Sequence, residues 1–178
     1  IGMDISPSNP DFLYALVEAE NNQQGLYFSN DRGESWKKVN KYVTSGNYYQ
    51  EVFCDPKDPK KVFFMDTWLH HTTDGGKTVV KTGEKSKHVD NHCIWINPND
   101  TDHWIVGCDG GLYETWDHAT NWHYKPNLPI TQFYKVAVDN DLPFYNIYGG
   151  TQDNNSLGGP SRTITNHGIM NSDWYITN

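Results

Sequence analysis

The chain is predicted to be all-β and, within that class, a partial β-propeller of about three and a half four-stranded blades, a fragment of a larger propeller. Three observations carry this. The stretch Ser29-Asn30-Asp31-Arg32-Gly33-Glu34-Ser35-Trp36 returns as Thr72-Thr73-Asp74-Gly75-Gly76-Lys77-Thr78-Val79, and in degraded form as Thr115-Trp116-Asp117-His118-Ala119-Thr120-Asn121-Trp122. The aspartates of successive copies lie 43 residues apart both times, and self-similarity at a period of that size belongs to propellers and solenoids. A proline turn keeps step, with Pro56 and Pro98 separated by 42 residues.

Each element follows in order. In the first unit (1–46), Ile1 to Pro7 reads as a strand stopped by two prolines, Phe12 to Glu18 as a second, Gly25 to Ser29 as a third and Trp36 to Val39 as a fourth. The second unit (47–87) repeats this with Tyr48 to Asp55, Val62 to Met65, Leu69 to Thr72 and Val79 to Thr82. The third (88–127) has His92 to Asn97, Trp104 to Gly107, Leu112 to Thr115 and Trp122 to Tyr124. The fourth (128–178) opens with Gln132 to Val138 and Phe144 to Tyr148. Its motif is due near residue 160, where Pro160 stands. The blade is therefore expected to be incomplete, with an insertion over Ser161 to Asn171 and a resumed strand at Trp174 to Ile176. The motif itself suits a tight turn: a short Asp side chain accepts bonds from its own backbone, and Gly33 and Gly76 supply positive φ. Asp31, Asp74 and Asp117, with Trp36 and Trp122 leading into the next strand, are expected to be turn clamps.

Composition narrows the function. Aromatic residues make up 14% of the chain, which suits short strands joined by turns. A net charge of −8 and a pI near 5.3 leave no basic stripe to neutralise phosphates, which argues against nucleic acid. No apolar run approaches the ~18 residues of a membrane span. The chain opens on Ile1 in a strand-like pattern, so it is expected to be an internal piece whose first partner is the remainder of its own propeller. Cys54, Cys93 and Cys108 are odd in number and share no metal-ligand spacing; buried free thiols are expected.

The repeated turn resembles the Asp-box of BNR-repeat proteins. Further phrases extend the likeness over nearly the whole chain: Ala15-Leu16-Val17-Glu18-Ala19, Gly25-Leu26-Tyr27, Cys108-Asp109-Gly110-Gly111-Leu112-Tyr113, Leu128-Pro129-Ile130-Thr131-Gln132-Phe133-Tyr134, and Tyr148-Gly149-Gly150-Thr151-Gln152-Asp153-Asn154-Asn155-Ser156. Together they resemble large secreted bacterial BNR-repeat proteins of the sortilin/VPS10-like or "glycosyl hydrolase" type. These are similar in architecture to xyloglucanases of glycoside hydrolase family 74. The resemblance implies export to an extracellular, cell-surface or periplasmic location and a parent several times longer. Fold likeness does not transfer the chemistry.

If the first strand of each blade lines the channel, the loops before it and the loops after the second strand share one rim. That sorting nominates Glu18, Glu20, Trp68, Gln132, Gln152 and Asn154 as ligand-binding positions. Asp66, Asp109 and Asp153, each after a second strand, are the candidate catalytic carboxylates, because glycoside hydrolysis needs an acid and a base or nucleophile across a cleft. Trp68 is placed to stack on a sugar ring. Asp109-Gly110-Gly111 and Gln152-Asp153-Asn154 are equally good turn sequences. In His88-Val89-Asp90-Asn91-His92 an extended backbone would turn His88, Asp90 and His92 the same way, a possible divalent-metal set; the competing reading is a polar loop capping backbone groups. Two functions follow: a binding or scaffolding propeller for a glycan, peptide or protein subunit, or a polysaccharide hydrolase.

Overall fold

The computed structural model describes residues 1–45, 48–126, 132–151 and 155–177. They form two compact units, residues 1–126 and 127–178. Four antiparallel sheets of four strands each make up the fold, and within each sheet neighbouring strands follow sequence order. The first sheet holds β1 (Gly2–Ile5), β2 (Leu13–Val17), β3 (Gly25–Ser29) and β4 (Lys37–Asn40). The second holds β5 (Val52–Cys54), β6 (Val62–Phe64), β7 (His70–Thr72) and β8 (Val80–Lys81). The third holds β9 (Asn91–Ile96), β10 (Trp104–Cys108), β11 (Gly111–Thr115) and β12 (His123–Tyr124). The second unit contains β13 (Phe133–Val138), β14 (Asn146–Thr151), β15 (Ser156–Pro160) and β16 (Tyr175–Ile176).

The middle sheet explains how the first unit is held. Its second strand continues into Met65 as an unbroken apolar run, Val62-Phe63-Phe64-Met65, because both of its faces are covered. Successive side chains point to opposite faces. Val62 and Phe64 join Tyr14, Leu16 and Leu26 of the first sheet in one core. Phe63 and Met65 join Ile94, Ile96, Trp104, Val106 and Trp122 of the third sheet in another. The rings of Phe63 and Trp104 meet edge-on at 4.8 Å. Full burial of one such side chain contributes about 1.5–3 kcal/mol, so the sheets adhere through their faces. Along the inner strands, Cys54 N donates to Asp4 Oδ2 at 2.7 Å.

The three repeated turns share one wiring. In each, the leading hydroxyl donates to the aspartate Oδ1: Ser29 to Asp31 at 2.7 Å, Thr72 to Asp74 at 2.9 Å and Thr115 to Asp117 at 3.0 Å. The same hydroxyl accepts from the backbone of Gly33, Gly76 or Ala119 at 2.8–3.0 Å. Oδ1 of each aspartate then accepts from the backbone of Ser35, Thr78 or Asn121. The Ser35 hydroxyl, which also donates to Asp31 Oδ2, and the bonds above hold the Asp31 carboxyl down at about 2; the backbone bonds from Thr78 and Asn121 lead in holding Asp74 at about 2 and lowering Asp117. Two consecutive residues adopt positive φ each time, Arg32 and Gly33, Gly75 and Gly76, His118 and Ala119. Ala119 takes a φ of 65° without glycine; the third turn is degraded in sequence and intact in structure. Trp36 Nε1 donates to Gly33 O and stays exposed, whereas Trp122 is buried and its Nε1 donates to Gly83 O.

The fourth sheet differs from expectation. Four strands are present, because Ser156–Pro160 pairs with Asn146–Thr151 over five residues. Its outer partner Tyr175–Ile176 does resume after the insertion, which carries a single 3-10 turn at Asn171–Asp173. The thiols also divide: Cys54 is buried, Cys108 half-buried and Cys93 exposed. No helix among the described residues is long and apolar enough to cross a membrane.

Candidate rim site

In the first unit the loops before each first strand do meet the loops after the preceding sheet's second strand. Gln50 Nε2 donates to Glu18 Oε2 at 2.9 Å. Asn91 N donates to Asp66 O at 3.0 Å and Asp90 N to Thr67 O at 2.9 Å, while within the second sheet Met65 N donates to Glu51 O at 3.0 Å. Asp109 N in turn donates to Asp90 O at 3.2 Å. Glu18, Asp66, Asp90 and Asp109 thus lie on loops that are hydrogen-bonded one to the next.

Their surroundings decide what they can do. Asp66 is buried. Its Oδ1 accepts from Ser45 N at 3.0 Å, from the Ser45 hydroxyl and from Thr67 N at 2.8 Å, and its Oδ2 accepts from the Tyr42 hydroxyl at 3.1 Å. Burial, with the Asp66 charge beside it, pushes the Tyr42 phenol far up. A carboxylate saturated in this way clamps a loop. Asp109 lies 2.7 Å from His92 Nε2, which donates to its Oδ1. Asp90 accepts from the Tyr49 hydroxyl at 2.7 Å, and burial and that bond push the Tyr49 phenol up to about 12. The Tyr49 and His92 rings stack at 5.5 Å. Tyr49, Asp90, His92 and Asp109 therefore form one small hydrogen-bonded, stacked cluster.

The proposed metal set does not form. Asp90 has a φ of 62°, so the segment is not extended there and the expected alternation breaks. His88 Nδ1 donates to Val89 O at 2.8 Å, away from His92. Among the described residues no group of three or more His, Cys, Asp or Glu is placed to hold a metal ion. Trp68 is 43% exposed, but Lys81 Nζ sits 3.0 Å from its ring centroid and covers one face. Glu20 is exposed in the loop after β2. Gln132 is exposed just before β13 in the second unit. Asp153, Gln152 and Asn154 lie outside the described residues.

Beneath the rim is a group that composition did not point to. Lys87 Nζ donates to Glu84 Oε1 at 2.9 Å, to His88 O at 2.8 Å and to Asn91 Oδ1. Asn91 Nδ2 donates to Glu84 Oε1 at 3.0 Å and to Asp66 O at 3.1 Å, and Leu69 N donates to Glu84 Oε2 at 3.0 Å. The Lys87 and Glu84 side chains are 0% and 1% exposed. This ion pair anchors both rim loops of the second and third sheets. A charged pair three apart, Glu84-Lys85-Ser86-Lys87, was its only trace in the sequence.

No family model matches the chain, and no curated protein matches it by sequence. Solved structures do. A glycoside hydrolase family 74 xyloglucanase from Xanthomonas campestris superimposes with a TM-score of 0.53 at 17% identity, over 89% of this chain and 28% of its own. YCF48 from Cyanidioschyzon merolae gives 0.53 at 16% identity, over 99% of this chain and 55% of its own. A YCF48 structure bound to a D1 peptide gives 0.52 at 17%, over 90% and 62%. The chain thus spans about a quarter of the xyloglucanase and rather more than half of each YCF48 chain. Likeness at this identity concerns the fold, and the fold is that of a partial β-propeller, all-β and built from four-stranded antiparallel blades.

Proposed function

We propose that this chain is part of a binding or scaffolding propeller and that its rim recognises a peptide or protein segment. One observation carries the reading: the rim aspartates Asp66, Asp90 and Asp109 are already engaged, while rings beside them face solvent. Asp66 is consumed by its own loops, Asp90 by Tyr49 and Asp109 by His92. Hydrolysis of a glycoside needs an acid and a base held apart across a cleft, and the described carboxylates stand in structural bonds instead. Tyr48, His92 and one face of Trp68 are exposed along the same edge, the kind of aromatic anchors that interfaces favour. The neighbour bound to a D1 peptide supports a peptide ligand as a class, through the shared fold alone.

Within this reading the repeated turn is the Asp-box of BNR-repeat propellers, and the protein belongs with the exported sortilin/VPS10-like type. It then acts outside the cytoplasm. The blades are taken as residues 1–46, 47–87, 88–127 and 128–178. A random peptide display library panned against the protein tests the proposal. Enriched peptides should bind the wild type, and the pair Tyr48→Ala with Trp68→Ala should weaken them about tenfold or more, the scale of lost aromatic anchors. Release of reducing sugar from a glycan panel, abolished by Asp109→Asn, would establish the hydrolase instead.

A further inference from the structure

The residue after the aspartate of each repeated turn donates its backbone N–H to the turn that joins the first two strands of its own sheet. Arg32 donates to Asp11 O at 3.2 Å, Gly75 to Lys60 O at 3.0 Å and His118 to Asp102 O at 3.1 Å. The side chains at this shared position differ. Arg32 Nε donates to Asp11 Oδ1 at 2.6 Å, a permanently charged pair within one sheet. Gly75 offers no side chain. His118 is neutral or charged according to pH, and it lies against the second sheet, its ring 6.0 Å from that of His71.

His118 Nδ1 has two claimants. Lys61 Nζ of the second sheet lies 3.4 Å away, and Asp102 Oδ1 of the third lies 3.3 Å away. An ammonium only donates and a carboxylate only accepts. The neutral ring with a lone pair on Nδ1 therefore holds Lys61 across the seam, and the ring with a proton there holds Asp102 within its own sheet. Lys61 has a second partner waiting. Its Nζ is 3.3 Å from Asp55 Oδ2, a buried oxygen on which no hydrogen-bond donor is set among the described residues. The Lys61 and Asp55 side chains are 10% and 1% exposed, those of His118 and Asp102 40% and 64%. A proton thus reaches the imidazole from solvent, while the ammonium has no water to retreat into.

We propose that protonation of His118 exchanges one bond across the seam of the second and third sheets, Lys61 to His118, for two bonds inside them, Lys61 to Asp55 and His118 to Asp102. Two cations this close repel, so the exchange loosens the seam at this end, where Lys57 Nζ still donates to Asn99 O at 2.7 Å. The charged and titratable groups facing His118 are Lys61, Asp55 and His71 from the second sheet and Asp102 from the third. Burial and the Lys61 charge lower the His118 imidazole, with Asp102 opposing. The closed form is therefore complete above about pH 6.5 and is given up as pH falls below it. Every group involved lies in residues 1–126.

Nitrogen NMR of protein carrying 15N-labelled histidine tests this, together with deuterium exchange of segments 55–62 and 99–105 from pH 7.5 to 5. His71, held at about 4, stays neutral across that window. At pH 7.5 His118 Nδ1 should show the shift of an unprotonated nitrogen, and it should gain its proton below pH 6.5. Exchange in both segments, corrected for the chemical rate, should rise severalfold over the same range. His118→Asn sets an Oδ1 where Nδ1 stands and tolerates the φ of 56°; it accepts from Lys61 at any pH, so the rise should vanish. His118→Arg, the residue of the first turn, should exchange at pH 7.5 as fast as the wild type does in acid. Asp102→Asn should move the midpoint to lower pH. A proton on Nδ1 at pH 7.5, no rise in exchange as Nδ1 titrates, or a wild-type rise in a folded His118→Asn would overturn the proposal. Where a variant does not fold, the wild-type titration of Nδ1 and its exchange decide alone.

Discussion

Replacing Lys87 with methionine removes a cation from a place where water cannot compensate. The ammonium donates to Glu84 Oε1 at 2.9 Å, to His88 O at 2.8 Å and to Asn91 Oδ1. After the change Glu84 keeps its bonds from Leu69 N and Asn91 Nδ2, both at 3.0 Å, but its charge lacks a counter-ion while its side chain is 1% exposed. Breaking a buried pair from one side costs about 3–5 kcal/mol. Methionine preserves most of the apolar stem over the Trp122 ring, where Lys87 Nζ now sits at 5.4 Å, so packing loss adds little. Against a typical domain stability of about 5–15 kcal/mol, that is a large share. Urea denaturation followed by tryptophan fluorescence should show the midpoint fall with the slope unchanged. Lys87→Met combined with Glu84→Gln removes both charges while an amide oxygen remains to accept from Leu69 N or Asn91 Nδ2, and should recover part of the loss. A cost below about 1 kcal/mol for the single change, or a double variant no more stable than the single one, would refute the assignment of this pair as the anchor of the rim loops.

Further outcomes follow from the turns and the histidines. Gly76→Ala should destabilise by about 2–4 kcal/mol in thermal denaturation, since a Cβ there would lie 2.6 Å from Leu26 Cδ2 at a φ of 88°. Ala119→Gly should change stability by less than about 1 kcal/mol, because relief of the left-handed strain offsets loss of a buried methyl. Burial, with His118 and Lys61 nearby, depresses His71 to about 4, well below the ~6.5 of a free imidazole. The unfolded chain then binds more protons, so stability is full above about pH 6.5 and falls toward pH 4. The groups facing His71 are Thr82, Lys61 and His118, with Asp55 beside Lys61 and His70 adjacent in sequence. Urea midpoints measured across that window should flatten in His71→Gln. Asp74, held at about 2 by its turn, contributes stability that is present above its ordinary ~3.8 and lost as pH falls from there toward 2; Asp74→Asn should blunt that acid limb.

The fold was legible because its determinants are local. Hydroxyl, aspartate and positive-φ residue sit within five positions of one another, so their wiring could be inferred from Ser29-Asn30-Asp31-Arg32-Gly33 alone. Strand order places Asp66, Asp90 and Asp109 on loops at one end of their sheets, and main-chain bonds link those loops. Their roles did not follow, because the groups that consume them come from elsewhere: Tyr42 and Ser45 lie more than 20 positions before Asp66, and Tyr49 is 41 positions from Asp90. The metal reading failed on a single backbone angle at Asp90, a residue that gives no warning of positive φ as glycine would. Ser156–Pro160 escaped notice since Gly158 and Gly159 carry no strand-forming side chains; the rings of Tyr175 and Trp174 occupy the space a Cβ would take. Only packing between two sheets makes Glu84 and Lys87 interior, and the polar run from Gly83 to His88 carries no sign of it.

The stitching of Glu51 to Met65, Asp66 to Asn91, Thr67 to Asp90 and Asp90 to Asp109 runs through main-chain amides and carbonyls. Side-chain identity is therefore decoupled from the course of the polypeptide along that edge. Tyr48 or Trp68 can be exchanged without loosening the seam, whereas an inserted residue would break several stitches at once. Descendants of this protein that acquire new ligands should do so by substitution along the seam, with loop lengths there unchanged.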